Sequence, residues 1–394
     1  VKLELTKKQQ EGLEIAIDRY NRGANYCVIG GFAGTGKTTL VHHIIAALGF
    51  SENDVVYCAY TGKATQVLAS KGCRNTSTLH RLLYHARRNY FTGKFYFHPR
   101  SFLERDYKIV VIDEVSMLPK DMWDLMVSHD TFVLALGDPG QLGPVKADQD
   151  SGLLKHPDIF LTEIMRQAEG NEIIRTSMNI RKGMSLTPFQ GEQVQILTSD
   201  KFSTGMMQWA DIILCAKNDT RHKLNAHMRE LEDRGEEPEV GDKIICLRNY
   251  WEVISDGRPE EASPLVNGSL GFIASVEKQE HRILKIPVLK MSIETELGEK
   301  YSDLIVDYNL LMTGKPALTY KQYRERTRSY AKGQVPMPME FAFGYAITTW
   351  KAQGSEWDKV LLIEENFPWE KEEKKRYLYT GVTRASEKLV VIKK

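Results

Sequence analysis

The sequence predicts an α/β protein made of two doubly wound units, each around a parallel sheet, with a small β-rich insertion. Three observations carry this reading. Short runs rich in β-branched residues, Tyr26 to Ile29, Val55 to Ala59, Ile109 to Ile112, Phe132 to Leu136, Ile212 to Ala216, Val360 to Ile363 and Leu389 to Ile392, recur with helical patterns between them, as buried parallel strands do. A long gap separates the fifth run from the sixth, dividing the strands into two sets. Inside that gap, from Arg234 to Pro338, the texture changes: Gly241, Gly257, Gly268, Gly271, Gly298, Gly314 and Gly333 punctuate short runs such as Lys243 to Leu247 and Leu270 to Ala274.

A chain of 394 residues suits two or three domains with cores of their own. With 42% hydrophobic and 27% charged residues, it reads as a soluble globular protein. Its 53 Lys and Arg nearly balance 52 Asp and Glu, so binding to a polyanion must come from local patches. Two such patches exist. Lys63 to Lys108 carries ten basic residues against Glu104 and Asp106, and Lys315 to Lys332 carries six against Glu325. Within the first, Tyr90-Phe91-Thr92-Gly93-Lys94-Phe95-Tyr96-Phe97 sets aromatic strand formers around a glycine turn, the pattern of a hairpin.

No apolar run approaches the 18 or so residues of a membrane helix, so no membrane partner is expected. The opening Val1-Lys2-Leu3-Glu4 lacks a basic leader with an apolar run, and a signal peptide is not expected. Cys27, Cys58, Cys73, Cys215 and Cys246 are odd in number and form no C-x-x-C pair, which argues against a zinc ribbon or a disulfide framework. The expected setting is a reducing cytoplasm.

The chemistry concentrates after three of the strands. Gly31-Phe32-Ala33-Gly34-Thr35-Gly36-Lys37-Thr38 satisfies G-x-x-x-x-G-K-[ST] between a strand and the helical pattern that starts at Thr39, which is the setting of a P-loop. Glycines such as Gly34 and Gly36 let backbone N–H groups cradle phosphates, Lys37 supplies charge to the β and γ phosphates, and the Thr38 hydroxyl ligates magnesium. Ile109-Val110-Val111-Ile112-Asp113-Glu114 is a strand that delivers two carboxylates to the sheet edge, a Walker B pattern. Asp113 would hold magnesium and Glu114 would polarise the attacking water. After the fourth strand comes Gly137-Asp138-Pro139-Gly140-Gln141-Leu142, where the Gln141 amide either senses the γ-phosphate or is a solvated residue in a Pro-Gly turn.

In order along nearly the whole chain, these motifs resemble those of superfamily 1 DNA helicases, specifically the 5′→3′ branch of RecD-like and Dda-type enzymes. Leu5-Thr6-Lys7-Lys8-Gln9 resembles the adenine-reading Q motif. Tyr60-Thr61-Gly62-Lys63-Ala64 and Thr76-Ser77-Thr78-Leu79-His80 resemble DNA-contact segments. Leu161-Thr162-Glu163-Ile164-Met165-Arg166-Gln167 and Tyr379-Thr380-Gly381-Val382-Thr383-Arg384-Ala385 are similar to the two motifs that carry arginine fingers. Ala346-Ile347-Thr348-Thr349-Trp350-Lys351-Ala352-Gln353-Gly354-Ser355-Glu356 resembles T-x-H-K-A-Q-G-S-E with Trp350 at the family's His, either stacked on a base or packed in the core. Val240-Gly241-Asp242-Lys243-Ile244-Ile245 and Val266-Asn267-Gly268-Ser269-Leu270-Gly271 are similar to the branch's SH3-like domain.

The resemblance implies two RecA-like domains, residues 1–163 and residues 164–233 with 337–394, an SH3-like insertion at 234–336 and a strand-separating pin at 84–103. It implies ATP and Mg2+ as cofactors, with Gln9, Gly34, Thr35, Gly36, Lys37, Thr38, Thr39, Gln353, Gly354 and Glu356 around the nucleotide. Lys37, Asp113, Glu114, Gln141, Arg166 and Arg384 would carry catalysis. Thr61, Lys63, His80, Phe91, Phe95, Asn267, Thr348 and Trp350 would touch DNA. ATP would bind between the two RecA-like units, and the enzyme would step 5′→3′ along single-stranded DNA and open tailed duplexes. It would work as a monomer in a bacterial or phage-infected cell, with single-strand-binding or replication proteins as candidate partners. The alternative within enzymes is a DNA-stimulated translocase subunit of a larger recombination or repair complex. Outside enzymes, it is a nucleotide-gated DNA-binding module without turnover.

Overall fold

The computed structural model describes residues 5–60, 62–70, 72–88, 95–143, 151–164, 170–256, 264–331, 334–366 and 370–394. Two compact units divide the chain: Val1–His85, Pro99–Met206 and Ala352–Lys394 form one, and Ala86–His98 with Met207–Lys351 form the other.

In the first unit, six parallel strands lie in the order Thr76–Thr78, Val55–Ala59, Ile109–Asp113, Phe132–Gly137, Tyr26–Gly31 and Ile159–Leu161. Alternation along each strand splits its apolar residues between two cores. Cys27, Ile29, Val55, Tyr57, Ile109, Val111 and Leu134 pack with Ala16, Leu40, Ile44 and Leu68 on one face. Val28, Val56, Cys58, Val110, Ile112 and Val133 pack with Leu79, Leu82, Met122 and Met126 on the other. The four central strands are buried on both faces, which is why the sequence shows continuous apolar runs there rather than alternation.

The register sets Gly30 opposite Gly137 and Ala59 opposite Asp113, so the P-loop, the acidic pair and the Asp138 turn all leave one edge of the sheet. Trp357–Ile363, Ala385–Lys393 and Val194–Thr198 form a second parallel set in the same unit, with Phe189–Gln190 antiparallel at its edge.

In the second unit, Ile212–Cys215 pairs in parallel with Ala346–Thr348, and the Asn225 amide fastens helix Asn218–Leu231 to both the N–H and the carbonyl of Ala346, each at 2.9 Å. The glycine-punctuated segment supplies four strands of a five-stranded antiparallel sheet in the order Lys300–Asp307, Pro287–Thr295, Leu270–Glu280, Lys243–Cys246 and Phe341–Phe343, the last of which lies beyond Pro338. Gly271 is required there, because a Cβ would stand 2.5 Å from the Glu294 carbonyl oxygen. The Arg229 Nε donates to Asp242 Oδ1 at 2.9 Å in a fully enclosed ion pair, and Asp242 also accepts from Glu239 N and Tyr345 Oη.

The hairpin expected around Gly93 has its arms at Tyr84–Arg88 and Phe95–Pro99, while Phe91 and Gly93 lie outside the described residues. All five cysteines are buried thiols outside any disulfide. No helix among the described residues is long and apolar enough to cross a membrane.

Candidate nucleotide site and nucleic-acid contacts

The P-loop is built by strand Tyr26–Gly31 running into helix Lys37–Ala47. Gly34 and Gly36 take φ of +76° and +74°, and no side chain caps the helix start at Gly36, so its first N–H groups face the loop. Thr35, 1% exposed, folds the turn by donating its hydroxyl to the Phe32 carbonyl at 2.8 Å. A Cβ on Gly31 would stand 2.8 Å from Thr35 Oγ1 and 3.1 Å from Leu161 Cβ, so the loop closes only around glycine. Lys37 Nζ donates to the carbonyls of Gly31 at 2.9 Å and Phe32 at 3.2 Å. An ammonium held by neutral carbonyls among uncapped N–H groups fits a phosphate chain. Thr38 and Thr39 lie in the first turn of that helix, both half-buried.

Gln9 sits under this loop, 1% exposed. Its Nε2 donates to the Thr35 and Gly36 carbonyls at 3.2 and 3.3 Å, and its Oε1 accepts from Thr6 N at 2.9 Å in a capping box. Both ends of the amide therefore brace the loop and the preceding helix.

Asp113 ends its strand, and Glu114 follows at φ +56°, a strained backbone for a residue with a Cβ. The turn is fixed by Glu114 N–H donating to Asp113 Oδ1 at 2.9 Å. Glu114, Gln141 and Arg384 meet. Arg384 Nη1 lies 3.9 Å from Glu114 Oε1. In the amide orientation that satisfies both neighbours, Gln141 donates to Glu114 Oε2 at 3.1 Å and accepts from Arg384 Nη2 at 3.3 Å. Arg384, 5% exposed, is held from behind by three acceptors: Thr380 O and Ser355 O, each at 3.1 Å, and Thr383 Oγ1 at 3.2 Å. Arg166 lies outside the described residues.

Gln141 is positioned through its neighbour. Leu142 N donates to Thr380 Oγ1 at 2.9 Å, and the Leu142 carbonyl accepts from Gln353 Nε2, so both backbone polar groups of that residue are clamped. Gln353 is buried, Gly354 takes a φ of +71° and Glu356 is exposed.

A second link runs through Tyr379, whose hydroxyl accepts from Ala33 N of the P-loop at 2.9 Å and donates to Asp138 Oδ2 at 2.5 Å. Burial pushes the Asp138 carboxyl above the usual range, opposed by the Lys37 charge and by hydrogen bonds from Tyr379 and Gly140 N. Arg181 covers the outer side of the loop, its guanidinium 3.6 Å from the Phe32 ring centroid. Tyr379, Thr380 and Asp138 stand inside motifs visible in the sequence, yet no role attaches to a hydroxyl or a buried acid until the fold shows what it touches.

Of the expected DNA contacts, Thr61 and Phe91 lie outside the described residues. Lys63 lies in helix Gly62–Ser70 and Phe95 opens strand Phe95–Pro99. His80 stands between Tyr60, at 5.4 Å, and Tyr84, stacked at 5.9 Å; burial pushes its pKa down to about 4, so it is neutral at pH 7. Thr348 ends its strand half-buried and Trp350 is likewise half-buried, outside the closed core. Asn267 is exposed in a turn, and its Oδ1 accepts from Lys351 Nζ, a residue that sequence reading left without a role.

Residues 4–201 match the family described as an AAA domain, and residues 343–392 match the UvrD-like helicase C-terminal domain. The chain is 26% identical over 416 residues to the ATP-dependent RecD2 DNA helicase of Deinococcus radiodurans, covering 97% of this chain and 49% of that protein. It thus spans about half the length of that relative. It is 22% identical to the ATP-dependent DNA helicase dda of Enterobacteria phage T4, covering 97% of each. Among solved structures, it resembles Pif1 helicases at forked double-stranded DNA, with a TM-score of 0.52, 19% identity and coverage of 98% and 92%. It also resembles a Bacteroides Pif1 helicase in complex with ADP-AlF3 and single-stranded DNA, with a TM-score of 0.50, 16% identity and coverage of 99% and 92%. These likenesses show a shared α/β fold.

Proposed function

Because the chain belongs to the AAA domain family and carries a UvrD-like helicase C-terminal domain, we propose that it is an ATP-dependent 5′→3′ DNA helicase that moves along single-stranded DNA. The observation that carries this reading is the junction of Glu114, Gln141 and Arg384: a carboxylate that can activate water, an amide bonded to it, and a guanidinium held rigidly beside both.

Lys37 exchanges the carbonyls of Gly31 and Phe32 for the β and γ phosphates of ATP, and the N–H groups from Gly34 to Thr39 receive the remaining phosphate oxygens. Thr38 and Asp113 would hold magnesium, which neutralises phosphate charge when bound. Glu114 accepts the proton of the attacking water. Arg384 stabilises the charge that develops on the transferred phosphoryl group, and Arg166 acts as its counterpart. Gln141 touches both Glu114 and Arg384, so it couples the water to the guanidinium. Loss of the γ-phosphate is felt at Ala33, whose N–H is tied through Tyr379 to Asp138.

Thr61, Lys63, His80, Asn267, Thr348 and Trp350 hold the strand, and Phe91 and Phe95 divide the duplex. Opening a base pair costs about 1.4 kcal/mol, within the free energy of one hydrolysis. The domain plan is RecA-like at 1–163, RecA-like at 164–233 with 337–394, and an SH3-like insertion at 234–336.

Phosphate release measured with and without oligo(dT) tests the reading. The wild type is expected to respond strongly to DNA, and Glu114→Gln to bind ATP yet lose turnover by about 10²-fold or more. Hydrolysis indifferent to DNA in the wild type would contradict it.

A further inference from the structure

The second unit contains a cavity of about 330 Å³ that the nucleotide site does not use. Helix Asn218–Leu231 forms one wall, and the end of helix Tyr308–Thr313 with strand Phe341–Phe343 forms the others. Its lining includes Arg221, His222, Lys223 and Arg229, and no carboxylate. Arg229 is already committed to Asp242 and to the Glu237 carbonyl. Arg221 is not: it is 9% exposed, its Nε has no partner among the described residues, and its Nη2 meets only the neutral acceptor Nε2 of His222 at 3.0 Å.

Gly314, at φ +73°, brings the wall close, since a Cβ there would stand 2.2 Å from His222 Nε2. An enclosed guanidinium without an acid is costly, and an anion seated against it offsets that cost. Burial depresses the basicity of Arg221 with no carboxylate opposing it; burial also depresses that of Lys351, the residue bonded to Asn267, and the Arg221 charge adds to that effect.

We infer that this cavity is a phosphate site with Arg221 as its cation, and that its ligand is a phosphodiester of the translocated strand. The assignment of the ligand rests on the helicase reading. It extends the DNA path from Asn267, Lys351 and Thr348 onto helix Asn218–Leu231, with Lys223 as an outer charge. A phosphate fits the donor set, because a guanidinium offers Nε and Nη in a fork that matches two phosphate oxygens.

The test is the binding of labelled oligo(dT) to the full chain across a salt series. Arg221→Gln should weaken binding roughly tenfold, as expected for a lost charge-assisted hydrogen bond. It should also make the dependence of log affinity on log salt shallower by about 0.7, the contribution of one phosphate on a single strand. Arg221→Lys should keep that slope. Thr313→Glu, which adds a carboxylate at the exposed rim, should weaken binding even if Arg221→Gln fails to fold. Unchanged affinity and slope in folded Arg221→Gln, or unchanged binding in Thr313→Glu, overturns the proposal.

If the wild type binds no DNA, the helicase reading falls, and melting in inorganic phosphate then decides the site on its own. Stabilisation of the wild type but not of Arg221→Gln keeps a phosphate site and overturns the strand as its ligand. Stabilisation of neither removes the site as well.

Discussion

Arg384 makes three hydrogen bonds to oxygens of its own unit and still reaches Glu114 and Gln141, a geometry that needs every arm of a guanidinium. Arg384→Lys cannot reproduce it. We expect turnover to fall by about 10³-fold with ATP affinity nearly kept, read from phosphate release and nucleotide titration. Tyr379→Phe removes the donor to buried Asp138 and the acceptor for Ala33 N–H, and should lower stability by about 1–3 kcal/mol in urea denaturation. His80 sets a pH dependence. Unfolded, it binds a proton near pH 6.5; folded, it does so only near 4, so the unfolded state holds more protons between these values and stability falls as pH drops through that window. Replacing it as His80→Asn should reduce the difference in stability between pH 7 and pH 4.5. Lys37 and Asp113 were singled out in the sequence by the P-loop spacing and by the acidic end of an apolar strand, and Arg384 only by the resemblance of its motif. Tyr379 and Asp138 were not, since a hydroxyl and an acid acquire meaning only from the buried atoms they meet.

At the scale of elements, apolar runs such as Val55 to Ala59 and Phe132 to Leu136 announced the central strands because both their faces are covered. Thr76–Thr78 at the sheet edge is polar and half-buried, and Ile159–Leu161 spans three residues, so neither carries a signal of its own. The antiparallel insertion was readable as β-rich from its glycines, but its strand order depends on long-range pairing that no local pattern encodes. The P-loop is as much packing as chemistry. Gly31→Ala would press a methyl group against Thr35 Oγ1 and Leu161, overpacking that costs about 1–3 kcal/mol, and nucleotide affinity should fall roughly tenfold by titration. In the second unit, Arg229→Met would leave Asp242 buried without its cation. A loss of about 3–5 kcal/mol is expected in urea denaturation.

For the whole molecule, near-neutral charge with two local basic stretches predicts binding that is sequence-tolerant and sensitive to salt, because phosphates are followed and bases are stacked rather than read. A motor of this kind moves in one direction along its strand, and polarity is its sharpest consequence. Strand displacement from two duplexes that differ only in which end bears the single-stranded tail measures it directly. With ATP present, the labelled strand is expected to be released from the 5′-tailed duplex and almost not at all from the 3′-tailed one. Equal release from both, or release from the 3′-tailed duplex alone, would contradict it.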